Sequence, residues 1–283
     1  MARPSHTPAA PGFDDAFVQR LLARALALPA PVPVFGISGL QGSGKSSLAR
    51  QLVSAARKRG VRALALSLDD FYLGRRERRE LSRRVHPLLA QRGPPGTHDV
   101  ALACRTLDAL RTMQPGDIVR VPRFDKLADT RLPPSRWASV RERPGLIVFE
   151  GWFLGVRPQP AQALIEPVNP MEREQDPDGS WRRGCNDALA DYAALWQRLD
   201  WLCWLKGPGF DVVRDWRWQQ ECTLQQAQPK RQAMDRAQLE RFVLAFERIS
   251  RHAQDTLAGI ADETIALDER RNPVEPDAAS RPR

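Results

Sequence analysis

The sequence feature that constrains this chain most is a glycine-rich string, G-L-Q-G-S-G-K-S, at positions 39–46. It fits the pattern G-x-x-x-x-G-K-[ST], the P-loop or Walker A motif. An apolar run at 32–37 precedes it, and a helix-compatible stretch at 46–59 follows it. Because this is the strand–loop–helix context that the motif requires, the sequence predicts a parallel α/β fold organised around a phosphate-binding loop.

The residue types of this loop suit the binding of an anion. Glycines let backbone N–H groups turn toward a phosphate, and the N-terminus of the next helix adds partial positive charge. The Lys45 side chain can reach the β- and γ-phosphates of a nucleotide, and the Ser46 hydroxyl can bind Mg²⁺. The alternative is an ordinary glycine turn between a strand and a helix. The residues predicted to hold ATP are Gly39, Gln41, Gly42, Ser43, Gly44, Lys45, Ser46 and Ser47.

Composition narrows the possible classes of protein. No apolar run reaches the roughly 20 residues that a bilayer span needs, so we expect no membrane partner. The 4 cysteines form no C-x-x-C pair and the 4 histidines are scattered, which excludes a common zinc spacing and favours a reducing, cytoplasmic location. The net charge of +9 favours anionic ligands such as nucleotides. Since no zinc-finger or RNA-binding signature accompanies that charge, a nucleic acid is not the expected partner.

The chain divides into three parts by sequence pattern. Residues 1–31 predict an N-terminal helix and a proline-rich linker, residues 32–269 an α/β domain, and residues 270–283 a disordered tail. Within the domain, residues 157–185 lack periodicity and predict an insertion or surface excursion. The predicted strands are 32–38, 61–68, 118–121, 146–149, 201–205 and 264–267. The predicted helices are 13–28, 46–59, 74–92, 98–111, 186–198, 211–226 and 235–256.

Acidic residues follow two of these strands directly. Asp69 and Asp70 end the second strand, and Glu150 ends the strand at 146–149. The carboxyl edge of an open α/β sheet is where ligands bind. There Asp69 can accept the proton of a hydroxyl that attacks the γ-phosphate, and Glu150 can hold Mg²⁺ opposite Ser46. The alternatives are a helix cap for either aspartate and a turn residue for Glu150.

Four further strings occur in order after the loop: S-L-D-D-F-Y-L (67–73), V-H-P-L-L-A-Q-R-G-P-P-G-T-H-D (85–99), F-D-K (124–126) and F-E-G-W-F-L-G (149–155). Together with the loop, they make the chain resemble the D-glycerate 3-kinase-like branch of the phosphoribulokinase/uridine kinase family. The resemblance covers about residues 32–256. It implies a P-loop NTPase fold with a five-stranded parallel core, helices on both faces, a mobile helical lid, ATP, Mg²⁺ and phosphorylation of a small hydroxyl compound.

The resemblance also implies roles for individual residues. Asp69 matches the family's aspartate base, Lys45 and Ser46 match its phosphate and magnesium residues, and Glu150 matches its E-G carboxylate. The carboxylate of glycerate requires arginine or lysine, and basic residues cluster at 123–131. The residues predicted to bind the acceptor are Asp69, Tyr72, His98, Asp99, Arg123, Asp125, Lys126 and Arg131. The alternatives are a turn-stabilising role for His98 and a helix cap for residues 100–111 at Asp99.

The predicted lid spans about residues 207–227 and carries Arg214 and Arg217 one turn apart on one helix face. Arginines that close over a transferring phosphoryl group are catalytic, although an exposed helix face has the same pattern. The first functional hypothesis is a small-molecule kinase acting on D-glycerate. The second is a kinase of the same fold for a nucleoside, ribulose 5-phosphate or pantothenate. The third is a nucleotide-binding regulatory or nucleic-acid-associated protein that uses the arginines of 75–84.

Overall fold

The computed structural model describes residues 12–227 and 234–274 and has the expected alternation of strands and helices. The strands are β1 (Val34–Gly39), β2 (Ala63–Ser67), β3 (Val119–Val121), β4 (Phe124–Asp125), β5 (Thr130–Arg131), β6 (Ala138–Val140), β7 (Leu146–Gly151), β8 (Trp201–Lys206) and β9 (Glu263–Ala266). The helices are α1 (Asp15–Leu26), α2 (Lys45–Lys58), α3 (Arg75–Arg84), α4 (Val100–Thr112), α5 (Pro170–Gln175), α6 (Ser180–Ala188), α7 (Ala193–Trp196), α8 (Val212–Ala227) and α9 (Arg236–Thr256). None of the described helices is long and apolar enough to cross a membrane.

A five-stranded sheet forms the centre of the molecule, in the order β2–β7–β1–β8–β9, and every strand pair in it is parallel. Neighbouring residues of a strand point to opposite faces of the sheet. Ile147 and Phe149 therefore join one hydrophobic core with residues of α4 and α9, whereas Val148 joins a second core with residues of α1 and α2. The predicted α/β fold with helices on both faces is confirmed.

Parallel pairing brings the ends of three strands to one edge of the sheet. β1 leads into the glycine-rich loop, β2 into a single 3₁₀ turn at Leu68–Phe71, and β7 ends at the Glu150-Gly151 pair. In the register of the sheet, Glu150 lies opposite both Ile37 and Ser67. The loop, Asp69 and Glu150 are therefore neighbours in space.

The segment 157–185, predicted as an insertion or surface excursion, is exposed over most of 157–168 and helical after that. It contains α5 and most of α6, and it is joined to α9 by a buried ion pair in which Arg248 donates to both oxygens of Glu172 at 2.8 and 2.6 Å. A second buried pair joins Asp176 to Arg182 at 2.9 Å. The segment contributes Met171, Trp181 and Cys185 to the hydrophobic core, and buried ion pairs stand between these apolar residues, so its sequence shows no regular hydrophobic period.

Other differences lie at the ends of elements and in the connections. The predicted helix at 74–92 ends at Arg84, because Pro87 begins a separate 3₁₀ turn. The predicted strand at 118–121 pairs with β6 in a small antiparallel ribbon outside the central sheet, and the predicted helix at 186–198 is divided between α6 and α7. The tail predicted to be disordered is hydrogen-bonded over residues 270–274, and residues 275–283 lie outside the described part, as do residues 1–11.

Candidate active site

The loop at 39–46 has the backbone conformation that its glycines allow. Gly42 and Gly44 adopt φ values of +82° and +95°, which side-chain-bearing residues rarely adopt. The loop also packs closely against α8, because a Cβ atom at Gly42 would lie 2.7 Å from the Cβ of Trp216. The side chains of Gln41 and Ser43 carry buried polar atoms without a hydrogen-bond partner. A glycine cradle with unpaired buried polar groups fits the binding of a phosphate chain.

Lys45 projects from the first turn of α2 and is buried. Its Nζ donates a hydrogen bond to the Leu40 carbonyl at 2.7 Å. Burial lowers the pKa of Lys45 to about 8, although the nearby carboxylates of Glu150 and Asp69 act in the opposite direction. Lys45 is therefore still mostly protonated at neutral pH and holds its positive charge between the loop and Asp69.

Ser46 and Glu150 lie next to each other at the end of the loop. The Ser46 hydroxyl donates to Glu150 Oε1 at 2.9 Å, and Glu150 is buried. Two oxygen donors side by side, close to a phosphate-binding loop, are the type of ligand that Mg²⁺ takes from a protein when nucleotide oxygens and waters supply the rest. The pair therefore fits a magnesium ion.

Asp69 lies in the 3₁₀ turn after β2 and is paired with Lys126, whose Nζ donates to Asp69 Oδ2 at 2.7 Å. Burial favours the neutral acid, but the charge of Lys126 and the hydrogen bonds from Lys126 and Tyr72 together outweigh burial and hold the pKa of Asp69 well below its usual range. The Asp69 side chain is consequently ionised at physiological pH.

A cavity of about 490 Å³ connects these groups. This volume lies within the range of about 300–1,000 Å³ that is usual for small-molecule sites. Asp69 and the P-loop residues face the same space, so a molecule bound at one would meet the other. The predicted site residues that line the cavity include Lys45, Ser46, Asp69, Tyr72, Lys126 and Glu150.

Comparison with known proteins agrees with this geometry. The chain is 34% identical over 200 residues to the uncharacterized kinase mug58 of Schizosaccharomyces pombe, an alignment that covers 68% of this chain and 70% of that protein. It is 29% identical over 259 residues to the chloroplastic D-glycerate 3-kinase of Arabidopsis thaliana, covering 86% of this chain and 54% of that protein. The chain thus spans about half the length of the Arabidopsis relative. No family model matches the chain.

Among solved structures, the D-glycerate 3-kinase of Cryptococcus neoformans var. grubii superposes with a TM-score of 0.74 at 25% identity. The superposition covers 92% of this chain and 95% of the fungal one. The chain belongs to the D-glycerate 3-kinase-like branch of the P-loop kinases. The resemblance drawn from the sequence strings is confirmed, and this kinase is a phosphotransferase.

Two arginines expected to bind the acceptor of this kinase are engaged elsewhere. Arg123 donates to the Asp70 carboxylate at 2.9 Å. Arg131 donates to Asp99 at 3.0 Å and to Glu77 at 3.1 Å. Neither arginine lines the cavity, so the structure does not bring these two predicted residues together with Asp69 and the loop. Their carboxylate partners lie 32 to 54 positions away in the chain, and no local pattern marks such pairs.

His98 and Asp99 also lie outside the cavity. His98 is buried and stacks on Tyr72 with the ring centroids 4.3 Å apart, and burial lowers its pKa to about 3, so it is neutral. The Tyr192 hydroxyl accepts from the Gly96 N–H at 3.1 Å and lies 2.7 Å from His98 Nδ1. His98 Nε2 is buried and has no hydrogen-bond partner. Asp99 caps α4 by accepting from the Leu102 N–H at 2.9 Å.

The predicted lid forms α8, and its two arginines differ in position. Arg217 lines the cavity, whereas Arg214 is exposed and does not. Of the two, Arg217 is therefore the one that the structure places with the other predicted site residues. Asp125 lines the cavity too, but its Oδ1 accepts the N–H groups of Leu127 and Ala128, each at 2.9 Å, and so shapes the turn that presents Lys126.

One polar residue of the cavity, Arg92, was not selected from the sequence. The available signal was its position within the string at 85–99 that carries the family resemblance. The arginine-rich segment 75–84 has a structural role in part, because Arg78 is buried and donates to the carbonyls of Leu73 and Ala90. The other arginines of the segment are exposed: Arg75, Arg76, Arg79, Arg83 and Arg84.

Proposed function

We propose that this kinase transfers the γ-phosphoryl group of ATP to a hydroxyl of a small hydroxy acid, D-glycerate. The observation that carries the proposal is that the Asp69 carboxylate and the P-loop residues Lys45 and Ser46 line one cavity. The acceptor is suggested by the Arabidopsis and Cryptococcus relatives, both named as D-glycerate 3-kinases. The 4 cysteines are free, which suits a reducing cytoplasm as the location.

The nucleotide and magnesium residues follow from the loop. Backbone N–H groups of Gly42 and Gly44 and the Lys45 side chain would bind the phosphates, and Ser46 and Glu150 would bind Mg²⁺. When bound, Mg²⁺ neutralises the charge that develops on the phosphate oxygens. Arg217, which faces the cavity from α8, would contact the transferring phosphoryl group.

Asp69 would position the acceptor and take up its proton. An ionised carboxylate accepts several hydrogen bonds, so the one from Lys126 leaves capacity for the acceptor hydroxyl. As the hydroxyl oxygen bonds to the γ-phosphorus, the bond from that phosphorus to the bridging oxygen breaks and ADP leaves. The hydroxyl proton passes to Asp69. Because the low pKa of Asp69 makes it a weak base, its main contribution is orientation of the hydroxyl.

The test measures ADP release in the presence of ATP, Mg²⁺ and a panel of acceptors: D-glycerate, other hydroxy acids, uridine, ribulose 5-phosphate and pantothenate. We expect turnover of D-glycerate. We expect Asp69→Asn to lower kcat by about 10²–10⁴-fold, which is the usual contribution of a positioned acid or base. Product analysis by phosphorus NMR identifies the hydroxyl that is phosphorylated.

Asp70→Asn is the matched control, because Asp70 is the adjacent residue but its carboxylate binds Arg123 and the Phe124 N–H outside the cavity. This variant should keep kcat and lose some thermal stability. The absence of acceptor-dependent ADP from every compound would reject the kinase assignment. Turnover of uridine without turnover of D-glycerate would favour a nucleoside kinase of the same fold.

A further inference from the structure

The acceptor proposed above carries a carboxylate, and the structure narrows the choice of its binding partner. Arg123 and Arg131 are bound to acidic residues outside the cavity, and Lys126 is bound to Asp69. We propose that Arg92 binds the carboxylate of the acceptor and thereby selects acidic over neutral alcohols, and that Asp129 is the residue that positions it. This inference rests on the proposed function and adds its specificity determinant.

Arg92 is held in place yet keeps donors available. Its Nη1 forms an ion pair with Asp129 Oδ1, and its guanidinium lies over the Phe124 ring, 5.6 Å from the centroid. The side chain is 24% exposed and lines the cavity. An arginine has five N–H donors in a planar fork, and the ion pair with Asp129 uses one side of that fork. The remaining donors suit a two-point contact with a carboxylate.

The backbone conformation and the ion pairs of Asp129 fit a residue that positions Arg92. It has a φ of +49°, one of two left-handed non-glycine residues in the described part of the chain. Backbone conformations of this kind persist where surrounding contacts require them, and they concentrate at functional sites. The contacts here are ion pairs from Arg78 at 2.5 Å and Arg75 at 3.9 Å as well as from Arg92. The two close pairs, from Arg78 and Arg92, hold Asp129 in place, whereas Arg75 lies at the distance limit of an ion pair and is exposed.

Aromatic contacts connect Arg92 to the proposed base. The Phe124 ring beneath Arg92 packs edge-on against Tyr72, with the centroids 5.3 Å apart. Tyr72 lines the cavity beside Asp69 and hydrogen-bonds to it. This wall separates a cationic end at Arg92 from an acidic end at Asp69. An acceptor that binds both must carry a carboxylate and a hydroxyl on the same small skeleton.

Arg217 is the other arginine of the cavity. Its charge interacts with Lys45 on the phosphate-binding side and also with Asp69 and Arg92. Arg217 therefore lies between the two ends of the cavity, where a phosphoryl group would meet the acceptor, whereas Arg92 pairs with Asp129 and packs on Phe124.

The experiment compares D-glycerate with glycerol, which lacks only the charged group, in the wild type and in Arg92→Gln. We expect the variant to lose about 10- to 100-fold in kcat/KM for D-glycerate, mostly through KM, because a charge-assisted contact is lost. Turnover of glycerol should be weak and equal in both proteins. Asp129→Asn keeps a residue that tolerates positive φ, and it should raise KM for D-glycerate with little change in kcat.

Arg75→Gln is the matched control: it also removes a cation beside Asp129, but Arg75 is 56% exposed and does not line the cavity. It should leave both kinetic constants unchanged. An Arg92→Gln enzyme that discriminates against glycerol as strongly as the wild type would overturn the inference while the proposed function stands.

A binding measurement separates the two proposals if D-glycerate is not turned over. With a non-hydrolysable ATP analogue present, D-glycerate should raise the melting temperature of the wild type and of Arg75→Gln, but not that of Arg92→Gln, and glycerol should raise none. Stabilisation of all three proteins by D-glycerate, or of none, would reject Arg92 as the carboxylate site. Circular dichroism of each variant establishes that it is folded.

Discussion

Replacing Gly42 by alanine tests the contact between the phosphate-binding loop and the helix that carries Arg217. The new Cβ would lie 2.7 Å from the Cβ of Trp216 and 3.1 Å from its carbonyl carbon. These are backbone-linked atoms that cannot rotate away. A φ of +82° costs an alanine about 1–2 kcal/mol, and forced overpacking costs about 1–3 kcal/mol more. We expect a loss of about 2–5 kcal/mol in the free energy of unfolding, measured by urea denaturation.

Gly60→Ala is the control that isolates the cost of a positive φ from the cost of a steric clash. Gly60 has a φ of +74°, but a Cβ there would meet no atom within 4 Å. This variant should lower the free energy of unfolding by only about 1–2 kcal/mol. Because Arg217 follows Trp216 in α8, Gly42→Ala should also raise KM for ATP, and Gly60→Ala should not. Equal free energies of unfolding for the two variants, with KM for ATP unchanged in both, would refute the loop–helix contact.

Two further predictions concern charged groups. Burial lowers the pKa of Lys45 to about 8, so the enzyme without nucleotide loses this charge as the pH rises through 8. We expect kcat/KM for ATP to fall above about pH 8. The value of kcat at saturating ATP should stay level, because bound phosphate favours the protonated amine. A kcat/KM that stays constant up to about pH 10 would contradict this prediction. Arg248→Met leaves the buried Glu172 carboxylate without its partner, and it should lower the free energy of unfolding, measured in urea, by about 3–5 kcal/mol. Arg236→Met disrupts exposed pairs and should cost at most about 1 kcal/mol for each, so equal losses would count against a structural role for segment 157–185.

Much of the fold is encoded in local sequence patterns. β1 and β7 are continuous apolar runs because both faces of the sheet are covered, and each is followed directly by residues of the site. The carboxylates of Asp69 and Glu150 could be placed near the loop because parallel strands end at a common edge. Segment 157–185 could not be interpreted in this way, since its buried Glu172 and Asp176 find their partners in α9 and α6.

Local sequence patterns do not predict which arginine faces the cavity. Arg92 and Arg123 lie in connecting segments and Arg131 lies in the two-residue strand β5, so no periodicity distinguishes them. Asp70, Asp99 and Glu77 engage two of the three, and Asp129 holds the third at the edge of the cavity with donors to spare. Which arginine is available depends on pairings between segments more than thirty positions apart.

The sequence by itself determined the phosphate-binding loop, the positions of the core strands along the chain and the acids at their ends, because backbone conformation and hydrophobic period are properties of neighbouring residues. Only the tertiary structure decided which charged side chains face the cavity and which are neutralised elsewhere. Ion pairing depends on distance in space and on burial, and neither is recorded in the local sequence.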